Sequence, residues 1–322
     1  GFVGPAGRAT LAAMTPRLSA FRPTLRRFLV WFGIVASVPV ARMAEAVEVA
    51  LKPGGSWKTY PTRTLDDLPA LAHAKPDAKL SRYGGTLARG APKTGFFHAI
   101  QREGRWWLVD PDGALYLDKS VVSVSMTPTP KAIAALEAKF GDETRWAAQT
   151  SSWLRELGFN GLGSWSDTTR LVGVPQPLAY TRIWNFMSSY GKKRGGTYQL
   201  PGHTGYPKDA IFVFDPEFEA FCDEHAQQLT AQKDDPWLLG HFTDNELPMK
   251  RETLANFLAL PQGDPGFRAA RKFLGERHGA NATAKDITDD DKQVFLALVV
   301  DRYLGIVCRA IRKYDPNHMV LG

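Results

Sequence analysis

The pattern of polar and apolar positions changes character twice along the chain. Residues 47–94 mix Pro, Gly, Lys and Ala with weak periodicity and read as a linker or N-terminal arm. From Gly95 the pattern tightens. Phe96-Phe97-His98-Ala99-Ile100, Arg105-Trp106-Trp107-Leu108-Val109 and Leu115-Tyr116-Leu117 are short strand-like runs. Asp110-Pro111-Asp112-Gly113 is a turn signal between the last two, so a β-hairpin is predicted here. Trp106 and Trp107 are expected to pack in a core.

Beyond Val121-Val122-Ser123-Val124, strand and helix patterns alternate. Residues 144–157 carry Trp146, Trp153, Leu154 and Leu157 at helical spacing, and Gly158 stops the run. Residues 159–163 and 178–186 read as strands. Asp215-Pro216 has the form of a helix start, with Phe218, Phe221, Cys222, His225 and Leu229 following on one face. A strand over 237–246 comes next. A long helix over 289–314 then turns Val294, Phe295, Leu298, Val299, Tyr303, Ile306, Val307 and Ile311 inward, and a strand begins at His318.

Such alternation implies a parallel sheet with right-handed crossovers. Two architectures compete, a closed barrel and an open doubly wound sheet. No Gly-rich phosphate turn follows the first strand, which favours an α/β fold of the (β/α)8 TIM-barrel type. About five of its eight strands are predicted, near Val122, Leu162, Thr181, Leu239 and Val320, so residues 95–322 read as an incomplete barrel with three βα units expected beyond Gly322.

Composition changes this picture at one end only. The 322 residues carry a net charge of +7, with 44% hydrophobic and 11% aromatic residues, ample for a large core. Residues 1–46 hold six arginines against the single acid Glu45. The rest of the chain therefore carries 34 basic and 32 acidic residues. That balance gives no charge signature for nucleic acid or an anionic membrane. Arg22, Arg26 and Arg27, the apolar run 28–40 and Ala44-Glu45-Ala46 follow the order of a secretory signal peptide. The apolar run is short for a permanent membrane anchor. An exported protein, periplasmic or extracellular, is expected. Cys222 and Cys308 lie on predicted helices and read as two free thiols, and no Cys/His spacing resembles a zinc site.

The chemistry concentrates at predicted strand ends. Glu246, with Asn245 beside it, follows the apolar run 237–240, so a carboxylate is delivered at a strand tip. Glycoside hydrolysis needs such an acid together with a second carboxylate. A helix N-cap cluster over Asp244-Asn245-Glu246 is the competing reading. Trp165 and Trp184 fall at strand ends, where a flat ring can stack on a sugar. Asp167, Asn185, His241 and Asp244 add polar groups at the same end.

Four segments together carry a resemblance: residues 104–113, 157–167, 240–247 and 315–322. They resemble the agarase-like and β-galactosidase-like branch of the retaining TIM-barrel glycoside hydrolases, over residues 96–322. The resemblance implies that Glu246 is the acid/base at the end of the fourth strand and that Asn245 contacts the sugar 2-hydroxyl. It implies a nucleophile glutamate at the end of the seventh strand, outside this sequence. Residues 118–122 depart from the family's commoner first-strand pattern. The implied substrate is a β-linked galactan such as agarose, or a related poly- or oligosaccharide, with no metal or organic cofactor. The alternatives are a carbohydrate-binding protein on a barrel that has lost catalysis, and an open α/β binding module. The mature chain is expected to start near Val47. N-terminal sequencing of the exported protein checks this, and recovery of residues 28–40 contradicts it.

Overall fold

The computed structural model describes residues 46–50, 52, 54–61, 79–195 and 205–322. The expected signal peptide lies outside these residues except for Ala46. The chain divides into two units, residues 1–75 and 76–322. In the first unit, β1 (Ala46–Val49) pairs antiparallel with β2 (Lys58–Pro61), Val49 opposite Lys58.

The second unit opens with an antiparallel sheet of β3 (Thr86–Gly90), β4 (His98–Arg102), β5 (Arg105–Val109) and β6 (Ala114–Tyr116), in the order β3-β6-β5-β4. The expected turn is present. Asp110 Oδ1 accepts from the amides of Asp112 (3.0 Å) and Ala114 (2.9 Å), and Gly113 adopts the left-handed φ of 87° that the turn requires. Residues 79–94 are less loose than expected. Tyr83 is fully buried, its ring edge-on to Phe97 at 5.4 Å, and β3 pairs with β6. Trp106, expected in a core, is 71% exposed. It lies on β5 opposite exposed Gln101, where nothing in this sheet covers it.

Strands and helices then alternate. Their order is β7 (Ser120–Val121), α1 (Pro130–Phe140), α2 (Glu143–Glu156), β8 (Gly161–Leu162), α3 (Thr168–Leu171), β9 (Ala179–Ile183), α4 (Phe186–Arg194), α5 (Phe218–Ala226), β10 (Leu238–Phe242), α6 (Thr253–Leu258), α7 (Pro265–His278), α8 (Asp289–Tyr314) and β11 (Met319–Leu321). Local chemistry sets several boundaries. Asp142 caps α2 by accepting from Arg145 N, and Gly158 follows its end with φ 86°. Thr288 and Asp291 form a capping box at the start of α8. Helix α5 starts at Phe218, a turn later than Asp215-Pro216 suggests, because Asp215 to Phe218 first closes a separate turn through Phe218 N and Asp215 O at 3.2 Å. Helix α8 matches its expected span, with Phe295, Val299, Tyr303, Ile306, Val307 and Ile311 buried. Val294 and Leu298, expected inward, are 40% and 43% exposed, because the helix buries a narrower stripe than its apolar content suggests.

The five strands form one sheet in the order β11-β10-β9-β8-β7, and every neighbouring pair is parallel. Strand order follows chain order without reversal, as in a winding βα barrel and unlike a doubly wound sheet. Among the described residues β7 and β11 are its edges, so the described structure is an open five-stranded α/β sheet.

The two faces of this sheet differ. Leu162, Tyr180 and Leu238 pack with Ala147 of α2 and Leu171 of α3. The other face is partly covered by the antiparallel sheet and the residues leading into it, where Tyr83 before β3, Phe97 before β4 and Tyr116 of β6 join Ala179 and Leu239. One irregularity decides which side chains of β10 go where. Leu238 pairs with Tyr180 and Gly240 with Thr181, so Leu239 is an extra residue in β10. Gly240 is required there, since a Cβ would lie 2.6 Å from Met319 O of β11. Replacing Gly240 with Ala is therefore expected to destabilise the protein by about 1–3 kcal/mol, the usual result of overpacking. Urea unfolding measures it, and an unchanged midpoint contradicts the packing described.

Candidate active site

A cavity of about 510 Å³ opens on the face of the parallel sheet away from α2 and α3. Its lining includes Ser120, Val122, Thr181, Ile183, Leu239, Phe242 and Leu321 from the strands and their ends. Gly163, Ser164, Trp165, Asp244 and Asn245 come from the loops after β8 and β10. Strand alternation accounts for this set. Thr181 and Ile183 share one face of β9, and their partners Gly240 and Phe242 share the same face of β10. The Thr181 hydroxyl is buried behind this wall with no hydrogen-bond partner among the described residues.

Of the residues predicted for the site, three are presented openly. Trp165, after β8, is 52% exposed on the rim of the cavity. Asn245, after β10, is exposed and lines it. Glu246 is exposed next to Asn245, four residues past the end of β10, which is the fourth strand of the parallel sheet in chain order. A left-handed backbone recurs at these tips. Among the described residues, the non-glycine residues with left-handed φ include Ser123 (57°), Trp165 (63°), Asn185 (55°) and Glu246 (50°). One follows each of β7, β8, β9 and β10. For L-residues this conformation costs roughly 1–2 kcal/mol each and collects at functional positions.

The other candidates have architectural partners. Asp167 is the N-cap of α3 and pairs with Arg170 at 2.7 Å, and Arg170 also reaches Glu143 of α2 at 2.5 Å. Asp244 accepts from the amides of Met187 (2.7 Å) and Ser188 (3.1 Å) and from the Tyr303 hydroxyl (2.7 Å). It therefore caps α4 from a neighbouring loop, a task that the formal cap Asn185 does not perform with its own side chain. Burial pushes the Asp244 carboxyl above its usual range, against the pull of these donors. Asn185 is half-buried at the left-handed turn into α4.

Trp184 and His241 belong to a buried network on the opposite side of the sheet from the cavity. Regular alternation after the extra residue puts His241 on the face opposite Gly240 and Phe242, away from the cavity. Trp184 Nε1 donates to His241 Nδ1 at 2.9 Å, so His241 carries its proton on Nε2 and donates to Asp315 Oδ2 at 2.7 Å. His318 Nδ1 meets the same oxygen at 2.7 Å, and His318 Nε2 faces the Asp235 carbonyl at 2.9 Å. Trp184 is thus a structural residue rather than an open platform, because its ring is buried and its N–H is engaged. His241, Asp315 and His318 bring ligand-type atoms within 4.8 Å of one another. Each of those atoms already has a protein partner, so the group reads as a hydrogen-bond network, not a metal cage. Sequence reasoning missed Asp315 and His318, although Asp315-Pro316-Asn317-His318 was among the segments carrying the resemblance. Among the described residues Cys222 and Cys308 are free thiols, and no helix is long and apolar enough to cross a membrane.

No family model matches the chain. Beta-agarase B of Vibrio sp. (strain JT0107) is 22% identical over 346 residues, covering 75% of this chain and 35% of the relative. Among solved structures, that of BpGH50 matches with a TM-score of 0.66 and 23% identity over 86% of this chain and 64% of that one. The structure of an exo-beta-agarase matches with a TM-score of 0.61 and 20% identity, over 77% of this chain and 48% of that one. The chain thus shares an α/β fold with these two solved structures and is similar in sequence to an agarase, in line with the resemblance read from its motifs. It spans about a third of the length of the curated relative and less than two thirds of BpGH50.

The network yields a test with a defined sign. Burial, the larger effect, holds the His241 pKa below its ordinary value, so below about pH 6.5 the unfolded chain takes up a proton that the folded one resists. The stability that His241 contributes is full above that pH and declines as pH falls. The advantage of wild type over His241→Gln is expected to narrow between pH 7.5 and 5, by up to about 1.4 kcal/mol per unit. Denaturant midpoints measure it, and a constant or widening advantage contradicts it.

Proposed function

We propose that the protein is a retaining glycoside hydrolase acting on a β-linked galactan such as agarose, or on a related poly- or oligosaccharide. The observation that carries this reading is the exposed Asn245-Glu246 pair just beyond the fourth parallel strand, beside the cavity that Trp165 rims. Similarity to beta-agarase B and to an exo-beta-agarase structure supports the substrate class.

In this reading Glu246 is the acid/base. It protonates the glycosidic oxygen as the bond to the anomeric carbon breaks. A glutamate about 5 Å away attacks that carbon and forms a glycosyl-enzyme. Glu246 then takes a proton from the water that releases the sugar. The attacking glutamate belongs to sequence following Gly322 in a longer protein, where further βα units close the sheet into a (β/α)8 barrel. The edges β7 and β11, unpaired among the described residues, and the partial coverage of the longer relatives support this. Asn245 holds the sugar 2-hydroxyl and Trp165 stacks on a pyranose face. The chemistry calls on no metal or organic cofactor, and the enzyme works outside the cytoplasm.

The test uses the full-length protein and its Glu246→Gln variant. Release of new reducing ends from agarose is expected to drop about 10²–10⁴-fold, the usual value of a positioned general acid, with the melting temperature held. Near-normal turnover by the variant contradicts the assignment of Glu246. Wild-type protein that binds galactan without cleaving it supports the carbohydrate-binding alternative instead.

A further inference from the structure

Trp165 combines two properties that rarely coincide. Its bulky side chain is 52% exposed on the rim of the cavity, and its backbone is left-handed at φ 63°. A strained conformation of this kind persists only where the surroundings over-determine it. Glycine would relieve the strain, yet an indole stands there.

The restraint comes from the loop after β7. The ladder between β7 and β8 continues beyond the strands themselves. Gly163 N donates to Val121 O at 2.8 Å, Ser123 N to Ser164 O at 3.0 Å, and Asp167 N to Val124 O at 2.8 Å. These bonds are main chain to main chain, so almost any sequence could make them. The tie adjacent to Trp165 differs. Ser166 Oγ accepts from Val124 N at 3.2 Å and donates to Val121 O at 3.4 Å. Its own amide donates to Gly163 O at 3.4 Å, closing the turn that contains Trp165. One hydroxyl therefore bridges the last residue of β7 and the loop after it, immediately after the strained residue.

We propose that Ser166 is a positioning residue, whose hydroxyl locks Trp165 in place as the stacking platform for a galactopyranose ring. This rests on the glycoside hydrolase reading above. Ser166 touches no substrate and acts through the population of the binding-ready indole. Where a loop holds its binding conformation only part of the time, apparent affinity falls by that fraction. Because the platform grips the sugar equally in ground and transition states, its loss raises KM and leaves kcat alone.

The experiment compares full-length wild type with Ser166→Ala, Ser166→Thr and Trp165→Ala on soluble agaro-oligosaccharides. Acrylamide quenching of Trp165 is read as the difference between each Ser166 form and the same form carrying Trp165→Phe. Ser166→Ala is expected to raise KM about five- to tenfold, as when the ready state falls to a tenth or a fifth. Its kcat stays within about twofold, and Trp165 quenching rises. Ser166→Thr, which keeps the hydroxyl, restores both. A Ser166→Ala protein with wild-type KM and quenching, alongside a Trp165→Ala protein with raised KM, overturns the role of Ser166. An unchanged KM in Trp165→Ala removes the platform itself. Wild type that neither binds nor cleaves galactan instead refutes the assigned function and the sugar named here, while the quenching arm still reads whether Ser166 fixes Trp165.

Discussion

The extra residue in β10 is the constraint on which the rest of the site depends. A strand alternates its side chains between faces, so one inserted residue reverses the facing of everything after it. In β10 that residue is Leu239. It leaves Leu238 among the helix-side apolar groups, puts Leu239, Gly240 and Phe242 toward the cavity, and sends His241 to the opposite face. Had β10 alternated regularly through Leu239, His241 would point into the cavity and Phe242 out of it. Gly240 completes the arrangement by letting β11 approach closely, and Met319 O occupies the space a side chain would need.

Polar residues at one end of a sheet are easily counted as one site, but here they divide into two kinds. His241 joins Trp184, Asp315 and His318 in a fully partnered buried network that ties β9 and β10 to the start of β11. Asp244 caps α4, and Asp167 caps α3. These groups fix the strand tips. Asn245, Glu246 and Trp165 remain open to solvent, on a backbone bent into the left-handed region at Trp165 and Glu246. Rigid, satisfied neighbours and strained, exposed tips are the combination that a preorganised site needs.

Much of this was legible in the sequence. The 3.6-residue pattern over 289–314 located α8, and the Asp-Pro-Asp-Gly turn located the β5–β6 hairpin. Asn245-Glu246 at the end of an apolar run placed an exposed carboxylate just beyond a parallel strand, and the structure has it after β10. Other features left no local signal. Strand β3 lies in a stretch without apolar alternation, and its identity depends on a partner 29 residues away, Leu115 opposite Thr86 at one end. The register shift at Leu239 is invisible in composition, so His241 and Trp184 looked like neighbours of Glu246 rather than parts of a network behind it. The role of Asp244 depends on Met187 and Ser188, which only tertiary folding brings near. Trp106 shows the converse, an aromatic run that reads as core but sits 71% exposed.

The central claim is that Glu246 and Trp165 act on one sugar chain at the open end of the parallel sheet. A crystal structure of the full-length Glu246→Gln variant with a bound agaro-oligosaccharide tests it most directly. The account predicts a glycosidic oxygen within about 2.6–3.2 Å of the side chain at position 246, with a pyranose ring against the indole of Trp165. An oligosaccharide bound away from the cavity, or held there with position 246 out of reach of every glycosidic oxygen, would contradict it.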